Sequence, residues 1–238
     1  MLPVDLAFAQ FVNATTAAYT SNPPIYMSYR ERTHIAAASL GRTQEIDRSV
    51  MVRVADNFAI MRDLPNGGER TGQAFPIIPY FDPLSNFTFG YYANLKRVDI
   101  NLTRGAPIQF TLPAPDPSVN AVVPYVSFWS PSYAPDSTES RLHFTVGLTP
   151  RYNGYYPADL LEDPQTHLPA HIEIRYGTDE MIIDLDYAVI GGHWLLSHGS
   201  FTAQERVGPL SFEVVSDTMY DQFAFSTTAP DSRLAPKP

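Results

Sequence analysis

The chain has no cysteine. That excludes disulfides, thiolate metal sites, a cysteine nucleophile and, in this sequence, a lipid-modified N-terminal cysteine. It does not fix the compartment, because many envelope proteins also lack cysteine. Lysine is nearly absent too: Lys96 and Lys237 are the two, and the other cations are arginines. With 25 Asp and Glu against 16 Lys and Arg, the formal net charge is −9. Such a surface disfavours DNA, RNA and anionic membranes as partners. No apolar run reaches the roughly 18 residues of a membrane span, so the chain is not expected to span one. The opening Met1-Leu2-Pro3-Val4-Asp5 lacks a basic n-region and carries a charge where a signal peptide would be apolar. Two readings stay open at that point, a cytosolic protein or one whose signal peptide has been removed; the expectation carried forward is periplasmic or secreted.

What is present points to β structure. Aromatic residues make up 13 % and there are 22 prolines; Tyr and Phe favour strands, and proline at this density breaks long helices. One helix is expected, at the start. Val4, Phe8, Phe11, Val12, Thr15 and Tyr19 recur at spacings of three and four, Pro3 suits the first turn, and Ser21-Asn22-Pro23-Pro24 ends it. Thereafter the period is two. Ile25, Met27 and Tyr29 alternate with Tyr26, Ser28 and Arg30; Ile46, Val50, Val52 and Val54 share a parity that Arg48 interrupts. Alternation also runs through Val98–Leu102, Leu142–Leu148, Ile172–Tyr176, Met181–Val189 and Phe212–Val214, the signature of antiparallel sheet with one buried face. Gly177-Thr178-Asp179-Glu180 and Gly191-Gly192 read as hairpin turns.

Two stretches read as long loops: Leu64–Asn86, rich in both breakers and bulky apolar groups, and Pro113–Asp136, with six prolines. No repeat or charge run divides the chain. At 238 residues it can bury roughly three quarters of its unfolded surface without staples. The expectation is a single domain over 1–226 and a disordered C-terminal tail over 227–238. Its fold class is mainly β (α+β), a large curved antiparallel sheet forming an incomplete barrel around the N-terminal helix.

The segment Asp163-Pro164-Gln165-Thr166-His167-Leu168-Pro169-Ala170-His171-Ile172 resembles the D-x-x-T-x-L-P-x-x-I stretch of the periplasmic lipoprotein-carrier family, the LolA-like half-barrels. The helix-then-hairpins order resembles that family over the first third of the chain. Asp184-Leu185-Asp186-Tyr187, Gly191-Gly192-His193-Trp194-Leu195 and Gly208-Pro209-Leu210-Ser211-Phe212 resemble its closing strands. The middle does not match. The resemblance implies a half-barrel that holds acyl chains; no family binding residue falls in the matching motif, so no residue role is carried over.

The chemistry-bearing residues are scattered. His167 and His171 flank Leu168-Pro169-Ala170, while His193 and His198 are five apart and face opposite ways on a regular strand. No H-E-x-x-H is present, so no metal site and no cofactor are expected. Asp184 and Asp186 share a strand face, as an acidic surface requires. There is no G-x-S-x-G, Gly67-Gly68 lacks the lysine of a phosphate loop, and Asp63–Glu69 is too poor in carboxylates for calcium. No catalytic residue is assigned.

The expectation is therefore a non-enzymatic envelope protein binding a lipid or other hydrophobic small molecule, with a possible protein partner. Candidates to line the cavity or form its lid are Phe8, Phe11, Tyr29, Phe75, Ile77, Ile78, Tyr80, Phe81 and Trp194. A lid residue would line a space, whereas a residue that caps the core would be fully packed. Two alternatives stand beside this one: an interaction module whose core is filled, and a hydrolase using Asp and His from distant strands.

Overall fold

A computed structural model describes residues 1–37, 41–74, 79–80, 83–84, 90–92, 97–100, 108–111, 129–148, 156–176, 179–207 and 210–235. One α-helix is found among them, α1 (Val4–Thr20). The Pro3 carbonyl accepts the Ala7 N–H at 3.0 Å, so the proline stands just ahead of the first turn, where its missing donor is not needed. The expected stripe is the buried one. Phe8, Phe11, Val12, Thr15 and Tyr19 are each at most 5 % exposed, and the Thr15 hydroxyl is satisfied by donating to the Phe11 carbonyl.

The strands follow in chain order: β1 (Tyr26–Ala37), β2 (Arg42–Arg53), β3 (Phe58–Asp63), β4 (Glu69–Gln73), β5 (Gly90–Tyr92), β6 (Arg97–Ile100), β7 (Ile108–Thr111), β8 (Trp129–Tyr133), β9 (His143–Leu148), β10 (Tyr156–Glu162), β11 (Pro169–Tyr176), β12 (Asp179–Ile190), β13 (His193–Val207) and β14 (Leu210–Ser226). Eleven of them form one open sheet in the order β4-β3-β2-β1-β14-β13-β12-β11-β10-β9-β8, and β5-β6-β7 form a small second sheet. The pairings whose registers are resolved are antiparallel. Mainly β with one N-terminal helix and an open antiparallel sheet is the class the sequence predicts.

The contacts group the chain into two compact units, interleaved in sequence. One comprises Met1–Ala18 and Asp82–Ile182, the other Tyr19–Phe81 and Ile183–Pro238.

In the first unit, Phe144 of β9 is the anchor of α1. It is fully buried, meets Phe8 edge-on at 5.3 Å, lies 6.0 Å from Phe11 and stacks on Tyr133 at 5.6 Å. Val146, Leu160, Ile172 and Ile174 continue the core with the predicted alternation.

In the second unit β1 lies between β2 and β14, so the first strand pairs with the last: Tyr26 opposes Ser226 and Arg53. Met27 and Tyr29 are buried as the alternation predicts, but Ile25 is 52 % exposed and Tyr26 on the opposite face is buried. The cause is the chain's end. A single 3-10 turn (Ser232–Leu234) is capped by Asp231, whose carboxylate accepts the Arg233 N–H, and Leu234 packs against Tyr26 and Ile60 with no exposure of its own. The buried Leu234 thus anchors this turn on the core of the second unit. Gly191 and Gly192 form the predicted two-residue turn between β12 and β13 at φ +62° and +83°, left-handed values suited to glycine. Gly191 is required for space as well: a Cβ there would lie 2.7 Å from the Phe225 ring.

Candidate ligand cleft

A cleft in the first unit, beside the N-terminal half of α1, has a volume of about 600 Å³. That is within the roughly 300–1,000 Å³ of small-ligand sites. Three successive helix positions on one face build its wall: Ala7, Phe11 and Ala14, at spacings of four and three. The small side chains of Ala7 and Ala14 leave room on either side of the Phe11 ring. Leu2 and Leu142 add apolar surface, and Gln10, Tyr133, Glu139, Glu162 and His167 supply the polar groups.

The polar groups are held by local chemistry. Glu162, at the end of β10, is only 6 % exposed. One carboxylate oxygen accepts the Leu142 backbone N–H at 2.7 Å, and the other lies 2.8 Å from Nδ1 of His167; facing a carboxylate, that nitrogen is the donor. His167 takes a left-handed backbone, φ +58°, inside the turn that joins β10 to β11. The Asp163 carboxylate accepts the N–H groups of Gln165 and Thr166, the Thr166 hydroxyl accepts that of Leu168, and Leu168 is buried. The Asp, Thr and Leu of the family-like stretch therefore shape a turn, and the turn delivers His167 to the cleft. Tyr133 donates its phenolic proton to the Leu2 carbonyl at 2.9 Å, and the Met1 amine bonds Glu139 at 2.6 Å.

The loop between β8 and β9, which carries Glu139, is fastened by His143. One ring nitrogen lies 2.5 Å from Asp136 in that loop and the other 2.9 Å from Asp159 on β10. An imidazole with a carboxylate on each nitrogen must carry both protons. Burial alone pushes its pKa down, but the hydrogen bonds to Asp159 and Asp136, and their charges, outweigh it and the net shift is upward. A histidine with a raised folded-state pKa contributes stability that is fully present below its unfolded value of about 6.5 and is lost as pH rises through the folded value. The stability deficit of His143→Gln relative to the parent is therefore expected to be largest below pH 6.5 and to shrink as the pH is raised. Urea titrations at a series of pH values check this; a deficit that grows with pH contradicts it. His198 makes the same kind of bridge in the second unit, between Asp186 and Asp217.

Among the predicted lining residues, Phe11 borders the cleft, whereas Phe8 is sealed against Phe144. Tyr29 is buried in the second unit, next to a smaller and more polar depression of about 410 Å³. Tyr80 is packed: 4 % exposed, its hydroxyl bonded to the Tyr19 carbonyl, its ring against Tyr19 and His193. The adjacent Pro79 carbonyl accepts the Leu196 N–H. Trp194 is half-buried on β13. Phe75, Ile77, Ile78 and Phe81 lie outside the described residues. Sequence reasoning missed Ala7, Ala14, Leu142 and Glu162. The alanines could have been found, since they flank Phe11 at helical spacing; Leu142 and Glu162 meet only through the β9–β10 pairing.

Sequence reasoning also missed a buried polar cluster in the second unit. Glu31 on β1 and Arg48 on β2 are cross-strand partners, 2 % and 4 % exposed. The Arg48 Nη2 lies 2.8 Å from both carboxylate oxygens. Thr33 donates to Glu31 and bonds Thr218 on β14. Its signal was present: Arg48 shares the parity of Val50 and Val52. Asp184 and Asp186 are exposed, as expected of a solvated face, and among the described residues no group of three or more His, Asp or Glu is arranged to hold a metal.

No protein-family model matches the sequence, and no curated protein sequence matches it. Solved structures do. The chain is similar to a LolA superfamily protein from Nitrosomonas europaea, at 11 % identity and a TM-score of 0.47, over 96 % of this chain and 97 % of that one. It is similar to a DUF1329 family protein from Desulfovibrio piger, at 10 % identity and 0.44, over 98 % and 97 %. It is also similar to a domain assigned to outer membrane lipoprotein sorting from Vibrio parahaemolyticus, at 8 % and 0.49, over 95 % of each chain.

Proposed function

We propose that this protein binds a lipid or other hydrophobic small molecule, without transforming it, in the cleft beside α1. The observation that carries the reading is the volume of about 600 Å³ bordered by Ala7, Phe11, Ala14, Leu2 and Leu142. Burying a methylene is worth roughly 0.8 kcal/mol, so an acyl chain needs few polar contacts to be held. The polar groups at the cleft are occupied in shaping its walls, which suits binding better than catalysis. The sequence resemblance at Asp163–Ile172 supports a place in the cell envelope, periplasmic or secreted.

The test is native mass spectrometry of the purified protein, with organic extraction of whatever co-purifies, for the parent and for Ala14→Trp. Ala14 is exposed on the helix, so the indole should fill the cleft and leave the fold intact. The expected outcome is a reproducible hydrophobic adduct on the parent that is reduced at least tenfold in the variant. A clean apo mass, with no thermal shift from a panel of fatty alcohols, fatty acids and lipids, would sink the proposal.

A further inference from the structure

We propose that the depression of about 410 Å³ on the second unit binds a phosphate-type oxyanion, free or as a small phosphate monoester. This site is separate from the cleft beside α1 and does not depend on what that cleft holds. Its base is a row across three strands. Arg30 on β1 opposes Ser49 on β2, and Ser49 opposes Arg62 on β3. All three border the depression, on the face of the sheet opposite the buried Tyr29 and Val50. Neighbouring strands lie roughly 4.8 Å apart, so the two arginines stand about 10 Å from each other across one short hydroxyl side chain.

The guanidiniums there are not used up by the local carboxylates. Asp47 takes two N–H groups of Arg30, from Nε and Nη2, at 2.8 and 2.6 Å. Glu69, the carboxylate that borders the depression, takes one from Arg62 at 2.8 Å with one oxygen and one from Arg233 with the other. Arg233 and Arg62 hold its carboxyl below the usual range, so it is an anion already engaged. A guanidinium is a planar fork of N–H donors, and more than half of each fork remains for a ligand after these contacts. The Ser28 and Ser49 hydroxyls and the Gln222 amide add uncharged donors. A phosphate group brings the acceptors, in the geometry that a guanidinium meets with two parallel bonds. The formal net charge of −9 opposes a polyanion spread over the surface, but it is screened at long range and does not outweigh donors in contact with a single oxyanion.

Gln222 is aimed at the depression by an irregularity of β14. Ser28 opposes Ala224 but Arg30 opposes Asp221, so β14 carries one extra residue, a β-bulge. Gln222 sits in the bulge with a left-handed backbone, φ +56°. Regular alternation would turn it away from the face of Asp221. Instead it is exposed and borders the depression, while Phe223 packs against Tyr29. Glycine would take that backbone without strain. A polar side chain kept there despite the strain points to a function for it.

The experiment follows backbone amide resonances of the whole protein at pH 7.5 and fixed ionic strength, titrated into the millimolar range with inorganic phosphate, glycerol 3-phosphate and glycerol. The parent is compared with Arg62→Gln and Gln222→Gly. Saturable shifts at Ser49, Arg62 and Gln222 are expected with the phosphate compounds and not with glycerol. Arg62→Gln, at a side chain 60 % exposed, should weaken binding at least tenfold, as loss of a charged hydrogen bond does, and Gln222→Gly roughly threefold, as loss of a neutral one does. Gln222→Gly should melt no lower than the parent, which separates a lost donor from a lost fold. Equal affinity for the two phosphate compounds identifies the free anion as sufficient; tighter binding of the ester means that the space beside Met51 takes its organic part. Shifts that do not saturate, equal affinity in parent and variants, or glycerol binding as phosphate does would each overturn the proposal.

Discussion

Replacing Arg48 by methionine is expected to lower the stability of the protein by about 3–5 kcal/mol. The reason is the partner left behind. Glu31 is 2 % exposed and Arg48 4 %, and the guanidinium reaches both carboxylate oxygens. Burial drives the Glu31 carboxyl upward in pKa, and the Arg48 charge and hydrogen bond oppose that shift. Tyr29 and Tyr220, whose rings meet at 5.8 Å beside the pair, are held neutral by the same burial, with phenol pKa values pushed well above 10.0. Without Arg48, the remaining carboxylate has only the Thr33 hydroxyl for compensation among these contacts, and it takes up a proton instead.

The sign of the pH dependence follows. A carboxyl group whose folded pKa lies above its unfolded value of about 4.3 loses stability as pH rises from that value through the folded one. The deficit of Arg48→Met should therefore be smaller at pH 5 than at pH 8. The double variant Glu31→Leu/Arg48→Met is expected to return to within about 1 kcal/mol of the parent, because a buried ion pair and an apolar pair of similar volume are often close in energy. Urea denaturation of the single and double variants measures both. A single-variant loss below about 1 kcal/mol, or a double variant as unstable as the single, would show that the pair is not an isolated buried charge couple. The pair also reads register: a one-residue slip of β2 against β1 would move Arg48 to the other face of the sheet.

The second large effect is expected at Phe144. Truncation to alanine should cost about 3–5 kcal/mol, the range for a buried phenylalanine. Its ring is fully buried and is the common contact of Phe8, Phe11 and Tyr133. Phe11 and Tyr133 also border the cleft. Their loss of support should weaken binding of a hydrophobic ligand in the cleft along with stability. Phe144→Leu, which keeps most of the volume, should recover most of both. Calorimetric melting and titration of the two variants give the comparison. A Phe144→Ala protein that melts like the parent would mean that α1 is held by contacts other than this aromatic cluster.

The alternation of apolar residues was enough to identify the strands, because a residue's face in a sheet follows from its position modulo two. The helix stripe Phe8, Phe11, Val12, Thr15 and Tyr19 and the glycine turn at 191–192 were legible for the same reason: the governing constraint is local. Arg48 was legible as an anomaly within its strand. Its meaning was not, since Glu31 is 17 residues away and only the β1–β2 register sets them opposite each other. The sequence by itself thus determined the class of the fold, the place of its helix and the faces of its strands. Only the tertiary structure decided that Leu234 returns to cover Tyr26, that the chain divides into two interleaved units, and that His143 spans two carboxylates. It also decided that residues from three remote stretches, around Phe11, Leu142 and His167, border one cleft. Contacts of that kind depend on which strands become neighbours, and no local pattern records that.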